Sequence, residues 1–287
     1  MKNFTLSTDT CCDELKSNLK KVDISYIPMT YIYNDNLFQD NMDSMEDYKF
    51  FYDEMKRGKI FSTTGLNPLE IEEYFLKLLE EKDMDILHVS LSSGLSGTCG
   101  LVKNVAEEIN KTSKHKVYVL DSLSATQVQN YLLDCMKLLR DEGLSAEEAL
   151  KQGEEIAKKL KAYFFLGDLE ALRRGGRISG AAAMIGKTFQ LKPILTFDAE
   201  GKLKIIDKVM GVKKAIKTLA DKFFKEFDGD ASNPVYLAFA GDMDNTNEVK
   251  NILLDKIPNL KIITGPIGPV IASHTGPNLT AVIFLSK

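Results

Sequence analysis

Cysteine is scarce in this sequence, with four residues among 287. Two of the four form the vicinal pair Cys11-Cys12, and the spacing matches neither a disulfide framework nor the Cys-x-x-Cys pattern of a metal site. We therefore expect free thiols, a reducing cytoplasm and no structural metal. No motif in the sequence calls for a cofactor.

Long apolar runs and an excess of charge of one sign are also missing. No stretch reaches the roughly 20 residues of a transmembrane helix, and Phe4 is soon followed by polar Ser7, without the apolar core of a signal peptide. The 37 basic and 41 acidic residues give a net charge of -4, which does not favour nucleic-acid binding. We expect a cytoplasmic protein with at most transient membrane contact.

The first half of the chain alternates short apolar runs with amphipathic segments, within an ordinary globular composition of 44% hydrophobic and 27% charged residues. The pattern predicts four strands, at 4–7, 24–33, 86–91 and 117–120. It also predicts four helices, at 45–57, 69–82, 100–110 and 125–140. This alternation favours a mainly parallel sheet flanked by helices.

The pattern changes after a helix at 145–161, which begins with the capping box Ser145 to Glu148. Strand-like runs at 192–197 and 203–210 predict a hairpin. Further helices are expected at 212–227 and 245–256, and strands at 235–240, 260–263 and 279–285. We place a domain boundary near Lys161, which gives an amino-terminal α/β domain at 1–160 and a carboxy-terminal, mixed-sheet α/β domain at 161–287.

A cluster of hydroxyls and glycines, Ser-Ser-Gly-Leu-Ser-Gly-Thr at 92–98, directly follows the predicted strand 86–91. In open α/β sheets, ligands bind beyond the carboxyl ends of strands, where backbone N–H groups at helix starts face an anion. Glycine lets the backbone approach a ligand, and the Ser92 or Ser93 hydroxyl can donate to a carboxylate or phosphate. The structural alternative is that Ser96 or Thr98 caps the next helix and the glycines form a turn.

Two further clusters contain groups that bind anions. Residues 62–65, Ser-Thr-Thr-Gly, precede a helix start at Pro68, and alone they fit a helix cap. Residues 172–180 hold three arginines around two glycines, and a guanidinium group suits a carboxylate or phosphate. The alternative for this second cluster is a surface turn whose arginines pair with Asp168 and Glu170.

Only three histidines are present. His88 lies within an apolar strand, where we expect a core residue, and His115 lies in a lysine-rich turn, where we expect solvent contact. His274 lies in a segment dense in glycine and proline, 265–277, which we interpret as a loop. Because loops on a rigid scaffold often carry binding residues, His274 is the histidine that we expect to contact a ligand.

Taken together, these motifs resemble the DegV family, bacterial fatty acid-binding proteins that include the FakB subunits of fatty acid kinase. The resemblance rests on residues 92–98, 169–179, 192–195 with the acidic-glycine turn after them, and 267–277. Residues 7–10 (Ser-Thr-Asp-Thr) and 120–122 (Leu-Asp-Ser) fit as well, so the match covers essentially the whole chain.

The resemblance implies a two-domain α/β carrier of one long-chain fatty acid, with the tail in an internal apolar tunnel and the carboxylate at the interdomain cleft. It implies no catalytic residues, because a separate ATP-dependent fatty acid kinase phosphorylates the presented carboxylate. The residues implied to bind that carboxylate are Thr63, Thr64, Ser92, Ser93 and His274. Arg173 and Arg177 would lie near the head group or on the surface that docks the kinase.

The sequence departs from the family at several of these positions. Many relatives have Thr-Ser-Gln-Pro at 63–66, where this chain has Thr-Thr-Gly-Leu, so the choice among the hydroxyls of Ser62, Thr63 and Thr64 stays open. Cys99 replaces a usual tyrosine, and Asn278 replaces a glycine. These changes leave the length of the acyl chain open.

Two other functions are weighed against a carrier. A serine hydrolase would use Ser93 as the nucleophile and His274 as its base, but residues 94–98 lack the last glycine of the G-x-S-x-G nucleophile elbow. A nucleotide-binding enzyme would cradle phosphate at 92–98, but no lysine follows as in a Walker A motif. The G-x-G-x-x-G dinucleotide pattern is also absent from the sequence.

Overall fold

A computed structural model of the chain describes residues 2–41, 43–178 and 190–287. Its strands form a four-stranded parallel sheet, a six-stranded mixed sheet and a small three-stranded antiparallel sheet. The predicted α/β architecture is therefore confirmed. Within these described ranges, no helix is both long enough and apolar enough to cross a membrane.

The described strands, in chain order, are β1 (Thr5–Asp9), β2 (Ile24–Ile27), β3 (Thr30–Tyr33), β4 (Asn36–Gln39), β5 (Ser62–Thr64), β6 (Ile86–Ser90), β7 (Val117–Asp121), β8 (Leu160–Leu166), β9 (Leu191–Phe197), β10 (Leu203–Met210), β11 (Val235–Ala240), β12 (Ile262–Pro266) and β13 (Leu279–Leu285). The described α-helices are α1 (Lys16–Lys21), α2 (Met45–Lys56), α3 (Pro68–Lys82), α4 (Thr98–Thr112), α5 (Thr126–Asp141), α6 (Ala146–Lys159), α7 (Glu170–Arg174), α8 (Val212–Glu226), α9 (Asp244–Lys256) and α10 (Pro269–Thr275).

The parallel sheet has the strand order β2-β1-β6-β7 and is covered on both faces. Helices α3 and α4 pack on one face through residues such as Phe75 and Val102, and α5 packs on the other through Leu132. Burial on both faces explains the continuous apolar runs of these strands. Because parallel strands end at the same edge, residues 92–98 after β6 lie beside the turn after β7, where Ser92 N–H donates to the Ser124 carbonyl.

The mixed sheet has the order β10-β9-β8-β13-β11-β12, and β11 with β12 is its parallel pair. The predicted hairpin is confirmed, since Leu203 of β10 pairs with Phe197 of β9 in an antiparallel register. Helix α8 packs on one face of this sheet through Phe223, while Phe164 on the other face joins the core shared with the first half of the chain. The proposed domain boundary at residue 160 stays a prediction.

The small sheet, β4-β3-β5, was not expected from the sequence. The single strand predicted at 24–33 is two strands in different sheets, separated at Pro28, because proline lacks the N–H group that a continuous ladder needs. Residues 62–64 pair with β3 and do not cap α3. Asn67 caps that helix instead, by accepting a hydrogen bond from the Glu70 N–H group.

Two helices differ from the prediction in ways that matter for the site. The helix expected at 145–161 has the predicted capping box of Ser145 and Glu148, but it ends at Lys159, because Leu160 already belongs to β8. The loop interpretation of the His274 segment was wrong, because residues 269–275 form α10. Pro269 at its first position and Gly276 after its last are ordinary start and stop signals for a helix.

Candidate functional site

A largely apolar cavity lies between the two halves of the chain. It holds about 960 Å³ of space between atoms, including the part that opens to solvent. Strands β8 and β13 of the mixed sheet and the loops after β6 and β7 supply its walls, through side chains that are mostly aliphatic or aromatic. The lining residues include Met29, Leu91, Leu95, Val128, Ala162, Phe164, Leu172, Phe197, Leu203, Ile267, Val270, Ile271, Leu279, Ala281 and Ile283.

One hydrogen bond joins two polar side chains in this lining. Thr63 Oγ1 on β5 and His274 Nε2 on α10 are 2.9 Å apart. The other ring nitrogen of His274 lies against Gly175, where a Cβ would come within 2.4 Å of Nδ1. Burial first, and then the Arg177 and Arg174 guanidinium groups, lower the pKa of His274 to about 4. The imidazole is therefore neutral near pH 7.

A neutral imidazole beside a threonine hydroxyl suits an anionic ligand oxygen. In the tautomer with its proton on Nε2, the ring donates to Thr63 Oγ1, which leaves the Thr63 O–H free to donate to a ligand. Such a pair can hold a carboxylate without a buried cation. Neutral donors leave the carboxylate oxygen more nucleophilic than a direct ion pair with arginine would.

Arg177 is the arginine of the 172–178 segment that lines the cavity. Its Nε group donates to the Leu95 carbonyl over 3.2 Å, so it bridges from the second half of the chain to the loop after β6. Arg173 is exposed and makes a two-pronged ion pair with Glu170 on the same helix turn. Residues 179 and 180 of the predicted arginine cluster lie outside the described residues.

The structure brings together only some of the other predicted carboxylate ligands. Thr64 lines the cavity beside Thr63. Ser92 is buried, and its hydroxyl donates to the Gly201 carbonyl over 3.0 Å. Ser93 is exposed, and its N–H group donates to the Asp121 carboxylate. Among the described residues that line the cavity, neither Ser92 nor Ser93 appears, and the ligand roles of all these residues stay predictions.

Several polar lining residues were not singled out from the sequence as ligands. Ser96 lines the cavity and accepts a hydrogen bond from the Thr98 N–H group. The structural alternative, a helix cap by Ser96 or Thr98, was wrong, because the N-cap residue of α4 is Gly97, without a side-chain capping hydrogen bond. Thr126 and Thr275 also line it. Thr126 has a φ of +57°, rare for a β-branched residue, and no local sequence signal marks it.

The geometry does not favour a serine hydrolase. His274 is hydrogen-bonded to Thr63, and no hydrogen bond joins it to Ser93, although the structure describes both residues. A serine nucleophile needs its base within hydrogen-bonding distance and a third group that orients the base. The contacts of His274 therefore lack the serine–base pair that a hydrolase requires.

Comparisons with known proteins agree with one another. A model of the family described as "Uncharacterised protein, DegV family" matches residues 3–287. A DegV domain-containing protein of Clostridium perfringens is 31% identical over 286 residues, which cover 99% of this chain and 98% of the relative.

Two solved structures are similar over nearly their whole length. A DegV family protein of Thermus thermophilus, described for its fatty acid binding, superposes with a TM-score of 0.86 at 26% identity, covering 99% of this chain and all of that one. DegV of Bacillus subtilis, described as a fatty acid-binding protein, superposes with a TM-score of 0.83 at 28% identity, covering all of both chains.

Proposed function

This chain belongs to the DegV family, and on that premise we propose that it binds one long-chain fatty acid without transforming it. The observation that carries the proposal is the cavity between the two halves, whose mainly apolar lining includes the hydrogen-bonded pair Thr63 and His274. An apolar cavity with a few convergent polar groups is the usual form of a site for an amphipathic ligand. The two solved relatives described as binding fatty acids support the same conclusion.

The acyl chain would lie in the cavity as in a tunnel, in contact with side chains such as Phe164, Phe197 and Ile283. Burial of each CH₂ group contributes about 0.8 kcal/mol, so a chain of many carbons can supply most of the affinity. The head group then needs only a few hydrogen bonds to fix its position.

The carboxylate would lie at Thr63 and His274, with Thr64 and Arg177 nearby. Thr63 is the hydroxyl that we assign to the ligand, because His274 orients it. The positive charge of Arg177 would attract the carboxylate from the solvent side of the site without burying an ion pair. A role for Ser92 or Ser93 would require their hydroxyls to turn toward the ligand when it binds.

A carrier of this kind would deliver its cargo to another protein. We propose that the partner is an ATP-dependent fatty acid kinase, which would phosphorylate the carboxylate, and that exposed Arg173 contributes to its docking surface. The carrier itself would need no cofactor. All four cysteines are free thiols, which fits the cytoplasmic location that we propose, with at most transient contact with membranes.

Mass spectrometry of bound lipid tests the proposal directly. The protein is purified from bacteria, extracted with organic solvent under denaturing conditions, and the extract is analysed for fatty acids. We expect about one long-chain fatty acid per chain. An extract that stays free of fatty acid, even after incubation of the protein with a mixture of fatty acids, would contradict the proposal.

A further inference from the structure

Residues 265–268, which include the end of β12 and its connection to α10, are buried along their whole length. They set the position of α10, the helix that carries His274. Buried backbone N–H and C=O groups need partners. Side chains from the first half of the chain supply partners to Pro266 and Ile267.

Tyr52 on α2 bonds to both backbone groups of Ile267. Its hydroxyl accepts a hydrogen bond over 3.1 Å from the Ile267 N–H group, which also donates to the Phe239 carbonyl over 2.8 Å. The same hydroxyl donates a hydrogen bond to the Ile267 carbonyl. The side chain is 3% exposed. One phenol from the first half therefore contacts both backbone polar groups of one residue in the second half.

Gln127 on α5 forms a hydrogen bond with Pro266, the residue before Ile267. Its Nε2 group donates to the Pro266 carbonyl over 3.1 Å and to the Asp13 carbonyl over 3.0 Å. Asn130 orients this amide by donating to Gln127 Oε1. A Cβ on Gly265 would lie only 2.4 Å from the Gln127 amide, so the contact requires glycine at this position.

Asp13 lies at the first turn of α10. A Cβ on Gly268, the N-cap residue just before this helix, would come within 2.3 Å of Asp13 Oδ1. Asp13 is 1% exposed, and burial raises the pKa of its carboxyl, an effect that the Gly268 amide partly opposes. The carboxyl group is thus packed directly on the backbone at the start of the helix.

We propose that Tyr52, Gln127 and Asp13 are positioning residues for the carboxylate end of the cavity, an inference that rests on the function proposed above. They fix the start of α10, and His274 lies six residues, or about 9 Å, farther along the helix. A tilt of only about 7° at the start would move His274 by roughly 1 Å. That displacement is enough to break its hydrogen bond to Thr63, so these three residues control whether Thr63 and His274 meet the carboxylate.

The variant Tyr52→Phe tests this role, because it removes the hydroxyl and keeps the ring. Tyr163→Phe is the matched control, since Tyr163 is also buried and donates its hydroxyl hydrogen to Glu226, away from residues 265–268. The first measurement is the ¹⁵N shifts of the histidine rings. His274 is the reporter, His88 and His115 are internal references, and the substitutions His274→Gln and His115→Gln assign the signals. The second measurement is the Kd for oleate and for methyl oleate.

We expect Tyr52→Phe to move the ring signals of His274 alone and to weaken oleate binding about fivefold to tenfold, with methyl oleate unaffected. Tyr163→Phe should change neither property. His274 signals and an oleate Kd that match wild type in Tyr52→Phe would overturn the inference. If Tyr52→Phe does not fold, Asp13→Asn, which keeps the size of the side chain, is measured in the same way and decides by the same criteria.

The two readouts also separate this inference from the proposed function. If wild-type protein binds oleate and methyl oleate equally, or binds neither, the proposed function fails. The His274 signals of Tyr52→Phe still decide whether Tyr52 positions α10, because they are recorded without a lipid. If wild-type protein prefers oleate and Tyr52→Phe keeps the full preference, only the positioning role fails.

Discussion

The Ser92 hydroxyl donates a hydrogen bond to the Gly201 carbonyl, 3.0 Å away, and so ties the loop after β6 to the turn between β9 and β10. The same hairpin supplies Phe197 and Leu203 to the lining of the cavity. The backbones meet closely, since a Cβ on Gly94 would lie 2.3 Å from the Glu200 carbonyl oxygen. Gly94 therefore permits a close contact between the two halves of the chain, whereas no atom lies within 4 Å of a Cβ added to Gly97.

Replacing Gly201 should weaken this contact. In Gly201→Ala, the new Cβ would come within 2.0 Å of Ser92 Oγ and 2.9 Å of the Leu123 Cα, in a residue with a φ of +70°. Gly58→Ala is the control, because its φ is +86° but no atom lies within 4 Å of the added Cβ. Urea unfolding should show that Gly201→Ala loses about 1–3 kcal/mol more stability than Gly58→Ala. Equal losses would mean that the backbone conformation alone accounts for both effects.

Thr63 and its neighbour Thr64 offer a test of which hydroxyl contacts the carboxylate. Thr63→Val removes the hydroxyl that bonds to His274 and keeps the shape of the side chain. We expect the Kd for oleate to rise about 10-fold to 150-fold, since a hydrogen bond to a charged group contributes about 1.5–3 kcal/mol. Thr64→Val should bind like wild type, because Thr64 is exposed and makes only a 3.4 Å contact with the Gly65 carbonyl. Calorimetric titration with oleate checks both variants, and a larger loss in Thr64→Val would reverse the assignment.

The sequence predicted most strands of the two larger sheets and the long helices, because these elements follow from local periodicity. The alternation of apolar runs and amphipathic segments identified β6, α3 and the β9–β10 hairpin within a few residues. The small sheet escaped prediction, since β4 is exposed at all four positions and carries no periodic signal. Helix α10 was not predicted, because the glycine and proline residues within 265–277 led to the interpretation of this segment as a loop.

The candidate site was only partly predictable for a different reason. Motifs pointed to Thr63 and His274, which the structure joins although 211 residues separate them. The motifs could not predict whether the hydroxyl of Ser92 or that of Ser93 is directed into the protein, because the direction of each side chain depends on the local backbone conformation. The apolar lining of the cavity could not be predicted from the sequence either. Strands β8 and β13 are buried on both faces, and nothing in their sequences distinguishes the face that lines the cavity.

We expect Arg173 to contribute to docking of the proposed kinase and not to binding of the fatty acid. Its ion pair with Glu170 is exposed, with side-chain exposures of 65% and 59%, so Arg173→Ala should change stability by less than about 0.5 kcal/mol. We expect unchanged oleate binding and at least a tenfold slower phosphorylation of the bound fatty acid by the proposed ATP-dependent fatty acid kinase. Arg57→Ala is the matched control, because Arg57 is similarly exposed and also pairs with a glutamate three residues away. Phosphorylation at the wild-type rate in Arg173→Ala would show that this arginine does not dock the kinase.

Because folding lowers the pKa of His274, the free energy of unfolding depends on pH. The folded protein holds the ring neutral down to about pH 4, whereas the unfolded chain protonates it near 6.5. Between these values the unfolded state binds more protons, so the contribution of His274 to stability is complete above about pH 6.5 and is lost as the pH falls toward 4.

Comparison of wild type with His274→Gln isolates this contribution. Buried His88, whose pKa is lowered to about 3, acts in both proteins and cancels in the difference. Measured by urea unfolding, wild type should lose roughly 1–3 kcal/mol relative to the variant between pH 7 and pH 4. His115→Gln is the control for removing an imidazole outside the cavity lining, since His115 contacts Asp83 in a network that includes Lys114. Parallel pH curves for wild type and His274→Gln would mean that the ring titrates normally in the folded protein and is not the neutral donor that the carboxylate site requires.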